Sequence, residues 1–110
     1  MALKVIDRPR FTAVVTLATV MLQGTLKVEF EARRTSETQA MENEAIAAGK
    51  GPEHLLYALV KGFEPIELPD GTTLLYDGAE SLGVLLDYPG ASTALIKAYH
   101  RGLWEEAKGN

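Results

Sequence analysis

An α+β fold follows from three features of the 110-residue sequence. Residues 25–32 alternate apolar and polar side chains. Leu26, Val28, Phe30 and Ala32 fall on one face and Thr25, Lys27, Glu29 and Glu31 on the other, as in a strand wetted on one side. From Ser36 onward the apolar residues recur at helical spacing instead. The strand patterns come first and most helical ones after, and that segregation is the mark of α+β architecture. The expected molecule is a single domain over residues 1–110. An N-terminal antiparallel β-hairpin or small sheet packs on three to four helices, the last of them long.

Taken in order, residues 1–10 read as a leader, because Asp7-Arg8-Pro9-Arg10 is polar and Pro9 interrupts regular structure. Residues 11–22 are dense in Thr and Val, which suit a pleated surface, and Gln23-Gly24 is the expected punctuation before the second strand. Ser36 followed by Gln39 has the spacing of a capping box. Thr38, Met41, Ala45 and Ala48 then form a thin helical stripe that ends at Gly49, a residue suited to the left-handed turn after a helix. So thin a stripe predicts a helix lying across the surface of the sheet.

A second helix is expected from Pro52 to Gly62, with Leu55, Leu56, Leu59 and Val60 as its core face. Pro69-Asp70-Gly71 makes a turn between Ile66/Leu68 and Leu74/Leu75, giving a small hairpin or an ordered loop. Asp77 with Glu80 predicts the cap of a short helix carrying Leu82, Leu85 and Leu86. The last helix is expected from Pro89 to about residue 107. Pro89 stands there as its first residue, Asp87 or Tyr88 as its cap, and Ala91, Leu95, Ala98, Tyr99 and Gly102 or Leu103 on its apolar face.

Composition narrows the function classes. A formal net charge of −4, with basic pairs only at Arg8/Arg10 and Arg33/Arg34, argues against a nucleic-acid partner. The chain has no Cys, so disulfides, thiolate chemistry and Cys-type zinc sites are out of reach. The basic start followed by residues 11–22 has a superficial likeness to a secretory signal. Thr12, Thr16 and Thr19 interrupt it, and the run is too short to cross a bilayer as a helix. A cytoplasmic protein without membrane contact is expected.

No constellation points to catalysis. His54 and His100 sit on separate helices without ligand spacing, and Ser36, Ser81 and Ser92 lack the surroundings of a nucleophile elbow. Gly49-Lys50-Gly51 is too short for a phosphate loop, and Asp70-Gly71 and Asp77-Gly78 lack the other positions of a calcium loop. Glu105 and Glu106 beside Lys108 read as a solvated helix end. The expectation is a protein that is not an enzyme and carries no metal or cofactor. Binding is the remaining class. Ile96, Tyr99, Leu103 and Trp104 form the candidate partner-binding set, with Trp104 expected first to pack against the preceding helices and second to serve as an aromatic anchor. The apolar first strand, if it lies at a sheet edge, could also accept a further strand.

Three segments carry a resemblance. They are Lys27-Val28-Glu29-Phe30-Glu31-Ala32-Arg33-Arg34 before an acidic helix, His54-Leu55-Leu56-Tyr57-Ala58-Leu59-Val60-Lys61-Gly62-Phe63, and Leu85-Leu86-Asp87-Tyr88-Pro89-Gly90-Ala91 followed by Ala94-Leu95-Ile96-Lys97-Ala98-Tyr99. From about Phe11 onward the chain resembles the small tail assembly chaperones of tailed bacteriophages and related prophages. Its Lys108-Gly109-Asn110 end departs from the family's Lys-Asn-like tail by an inserted Gly. The resemblance implies a non-enzymatic protein that binds the tape measure protein and keeps it soluble while the tail tube polymerises around it. It also implies contact with tail tube protein in frameshifted longer forms, self-association along the client, and a bacterial host cytoplasm. A structural virion component, such as a tail terminator or head–tail connector subunit, is the competing expectation.

Overall fold

A computed structural model describes residues 2–109, with side chains through Trp104; the side chains of Glu105, Glu106 and Lys108 and all of Asn110 lie outside the described residues. Strand β1 (Arg10–Ala18) and strand β2 (Gln23–Glu31) pair antiparallel, with Phe11 opposite Phe30, Val15 opposite Leu26 and Leu17 opposite Gly24. Phe11, Ala13, Val15 and Leu17 alternate with exposed residues, so one face of β1 is committed to the core. The turn falls earlier than Gln23-Gly24, which are strand residues paired with Ala18 and Leu17. It is closed instead by Thr19: its N–H donates to the Leu22 carbonyl (2.8 Å), and its hydroxyl accepts the Leu22 N–H (3.0 Å). A side-chain oxygen thus does here what a turn glycine was expected to do.

Helix α1 (Thr35–Ala47) begins one residue before Ser36 and is capped through a different pair from Ser36 and Gln39. The Glu37 carboxylate accepts the N–H of Arg34, the residue before the helix (3.0 Å), and the guanidinium of Arg8 (2.6 Å). These bonds, the backbone one first, lower the Glu37 pKa from its ordinary 4.5 to about 2. Because the folded value is depressed, the stabilisation is present above about pH 4.5 and disappears as pH falls towards 2. Glu37→Gln should therefore flatten the acid limb of unfolding free energy in that window, measured by urea titrations at successive pH. Identical limbs for the two proteins would contradict the assignment. The end of α1 matches expectation: Gly49 takes φ +76°, its N–H donates to Ile46 O (2.9 Å), and Lys50 N–H donates to Ala45 O (2.8 Å). The helix packs mainly on residues 52–55 and not across the sheet, since its fully buried residue is Ala45 alone.

The segment expected as one helix from Pro52 to Gly62 is three elements. A 3-10 helix (Pro52–Leu55) runs into the single turn of α2 (Leu56–Leu59), and strand β3 (Val60–Phe63) follows at once. β3 joins the far side of β2, with Phe63 opposite Val28, Gly62 opposite Glu29 and Val60 opposite Phe30; Lys61 is the extra residue of a bulge. The sheet order is β1-β2-β3, placing the alternating strand in the centre. Leu56, Leu59 and Val60 are core residues, as expected, although the last reaches the core from a strand. Strands β4 (Ile66–Glu67) and β5 (Thr73–Leu74) form the small hairpin about Pro69-Asp70-Gly71. There Asp70 accepts the N–H and hydroxyl of Thr72 (2.9 and 2.6 Å), which hold its carboxyl below the usual range.

Helix α3 (Ala79–Leu86) is entered through Asp77, whose partner is Ser81 and not Glu80. The Ser81 N–H donates to the Asp77 carboxylate (3.1 Å), and the Asp77 N–H donates to the Ser81 hydroxyl (2.8 Å). Helix α4 (Ala91–Gly109) starts later than Pro89. Tyr88-Pro89-Gly90-Ala91 is a tight turn in which the Ala91 N–H donates to Tyr88 O (3.2 Å) and Gly90 takes φ +88°. That is the pattern of a type II turn, with Pro and Gly in its two central places. Asp87 therefore closes α3, its N–H donating to Gly83 O, and does not cap α4. Ala94 N–H bonds to Gly90 O (3.1 Å), so Gly90 is the residue from which α4 departs.

The core lies between α4 and the inner face of the sheet. Phe11, Phe30 and Tyr99, one from each of β1, β2 and α4, bring their ring centroids within 5.5–5.8 Å of one another. Tyr99 is 2% exposed, and its buried hydroxyl accepts the Arg33 N–H at 3.0 Å, so no polar atom is stranded there. Burial also pushes the phenol pKa up. Gly102 lies directly over Phe11, whose ring a Cβ would strike, so α4 comes down on β1 at a position that carries no side chain.

Candidate partner-binding surface

Helical geometry fixes what α4 presents. At about 100° per residue, Ala91, Leu95, Ala98 and Gly102 form the stripe that faces the core. Ala91, Leu95 and Ala98 are buried accordingly. Ile96 and Leu103 flank that stripe, half-buried against the core. Trp104 is nine residues beyond Leu95. It therefore stands roughly 180° round the helix from the core side. It is 79% exposed, overturning the expectation that it packs against the preceding helices. Of the four candidate residues, Tyr99 is a core residue that offers no surface to a partner, while Ile96 and Leu103 expose a shoulder and Trp104 its whole ring. The angular separation of Leu95 and Trp104 was available in the sequence and would have indicated this outcome.

Further apolar side chains reach solvent at the hairpin tip, where Val20 is 96% exposed and Met21 59%. A groove of about 510 Å³ lies between α1 and the 3-10 segment, lined by Met41, Ala45, Leu55 and Ala58, with Glu44, Lys50 and His54 among its polar residues. His54 packs against Tyr57 at a ring distance of 5.4 Å, and His100 against Tyr99 at 5.5 Å. The two histidines are thus placed by aromatic neighbours. Among the described residues, no three His, Cys, Asp or Glu side chains converge as metal ligands, and no helix is long and apolar enough to cross a membrane.

The edge position that the sequence raised as a condition for the first strand is the one it takes. Among the described residues, only β2 pairs with it, so its opposite edge has no partner strand, although the Val14 carbonyl there accepts the Arg101 guanidinium (2.9 Å). Its outward face, with Thr12, Val14, Thr16 and Ala18, is uncharged after Arg10, whereas β2 turns Lys27 and Glu29 outward. The sequence signal was the absence of charge after Arg10, since strand edges are usually protected by Lys, Pro or bulges. No protein-family model, curated protein or solved structure matches the chain.

Proposed function

We propose that the chain is a tail assembly chaperone of the bacteriophage and prophage type, a non-enzymatic protein that binds a tape measure protein and keeps it soluble in the bacterial cytoplasm during tail assembly. The observation that carries the reading is the outward indole of Trp104 on a helix anchored by its opposite side, which also half-exposes Ile96 and Leu103. An aromatic anchor on a rigid helix suits binding to the apolar face of a helical client. The resemblance of the Leu85-to-Tyr99 segment to that family supplies the identity of the client.

Co-expression with a candidate tape measure protein should raise the client's soluble fraction and co-purify it. Trp104→Ala should weaken that association by about 2 kcal/mol or more, roughly thirtyfold, while changing the chain's own stability by less than about 0.5 kcal/mol. Unchanged client solubility with no co-purification would count against the reading. Recovery of the chain from purified virions at stoichiometric copy number would make it a structural component instead.

A further inference from the structure

The segment before β1 is held at one end and exposed at the other. Pro9 O accepts the Ala32 N–H, which continues the β1–β2 register by one step. At Arg8 the chain turns away with φ +46°, a region that residues with a Cβ rarely enter. The Arg8 guanidinium holds that turn on the Glu37 carboxylate of α1 at 2.6 Å. Beyond it Leu3 is 93% exposed, Val5 81% and Ile6 63%, a run of apolar side chains held in water. The groove between α1 and the 3-10 segment begins about one helical turn past Glu37. Glu37, Met41, Glu44 and Ala48 follow at spacings of four, three and four residues, so they form one row along α1, and the last three line the groove. Lys50, which also lines it, lies beyond the end of α1. Lys4, Glu44 and Lys50 make no ion pair among the described residues.

We propose that residues 2–7 close over this groove as an extended strap hinged at the Arg8–Glu37 pair, with Ile6 on Met41 and Lys4 on Glu44. The inference is independent of the tail-assembly reading. The two spacings match. In an extended chain, residues 6 and 4 stand about 7 and 13 Å from residue 8. Along α1, Met41 and Glu44 stand about 6 and 10 Å from Glu37. Arg8, Ile6 and Lys4 share one side of such a strand, because side chains alternate. A basic, apolar, basic series therefore meets an acidic, apolar, acidic one, and the charges fix the register. Leu3 and Val5 turn to the other wall, where Leu55 and Ala58 are only half-buried. Burial of the three exposed aliphatic side chains drives the closure. The tether decides which copy supplies the strap. A segment this close to its hinge has an effective concentration on the order of millimolar, so in dilute solution it displaces the same segment of a second copy.

The sequence has no Cys, so disulfide trapping in the full chain has no background. Under mild oxidation in dilute solution, Ile6→Cys with Met41→Cys should close an intramolecular disulfide. It should do so about tenfold or more faster than Ile6→Cys with Ile46→Cys. Ile46 is the control because it lies about 180° round α1 from Glu37. Non-reducing electrophoresis and peptide mass spectrometry read the product. In the first of these backgrounds Lys4→Glu should slow closure by about two- to fivefold, and adding Glu44→Lys should restore it. If Met41→Cys fails to fold, carbodiimide treatment of the unaltered chain asks the same question, since it should join Lys4 to Glu44 as an amide. Equal rates in the two double variants overturn the proposal, as does absence of the Lys4–Glu44 amide. A Lys4→Glu effect that Glu44→Lys leaves uncorrected overturns it too. So does a disulfide that forms only between two chains, which would make the groove a contact between copies.

Discussion

Phe30→Ala should bring the domain close to unfolding at ordinary temperature, with a loss of about 3–5 kcal/mol. Domains of this size hold only about 5–15 kcal/mol in total. Phe30 is the centre of the molecule in both senses: it is fully buried, and it lies on the middle strand between Phe11 of β1 and Val60 of β3. Its ring meets Phe11 at 5.6 Å and Tyr99 at 5.5 Å. Truncation therefore leaves a cavity bordered by both neighbouring strands and α4, which cannot all collapse into it together. Thermal melting followed by circular dichroism should show the midpoint falling by more than about 10 °C. Thr12→Ala, one position along β1 from Phe11 but on the wetted face, should stay within about 0.5 kcal/mol of the parent. Similar losses for the two variants would mean that the burial pattern of the sheet is wrongly assigned.

Gly90→Ala should cost about 2–4 kcal/mol, from two separable causes. One is conformational: φ +88° is a region that residues with a Cβ rarely adopt. The other is steric, because the new Cβ would stand 2.8 Å from Thr19 Cγ2. Gly49→Ala isolates the first cause, since φ there is +76° and nothing lies within 4 Å of the added atom; it should cost about 1–2 kcal/mol. Thr19→Ser isolates the second, removing the offending methyl while retaining the hydroxyl that closes the hairpin turn. In the Gly90→Ala background, Thr19→Ser should recover part of the loss. A double-mutant cycle by urea denaturation measures the coupling. Strict additivity of the two substitutions would show that the hairpin turn and the start of α4 do not touch.

These two sites also mark where the sequence could and could not be read. Phe30 was legible as core because its strand alternates over eight residues, and that period has no other reading. Leu95 and Ala98 were legible for the same reason, at helical period. The segment from Pro52 to Phe63 was not. A short apolar run fits a strand as well as a helix, and the pairing of Val60 with Phe30 that settles it spans thirty residues. At Tyr88-Pro89-Gly90-Ala91 the right residues were singled out and the geometry misread. Proline is favoured both at the first position of a helix and at the second of a turn, and the glycine after it selects the turn. The Ser36 and Glu80 caps failed in a similar way, because Glu37 and Ser81, each a neighbour of an expected partner, had better reach. Of the candidate surface, Trp104 could have been placed from its angle to Leu95. The edge position of β1 could be raised only as a condition, since it depends on which strands the remaining chain supplies.

The bare patch at Gly102 sets the rotational phase of α4. A helix resting on a ring at a position without a side chain cannot turn about its own axis without driving a neighbouring residue into that ring. Rotation is the one freedom that the type II turn at its start leaves weakly constrained, because a single swivel point fixes direction and not azimuth. The missing methyl therefore acts as a key in a slot: it sets the bearing on which Trp104 points, two residues further along, and with it the side from which any partner must approach.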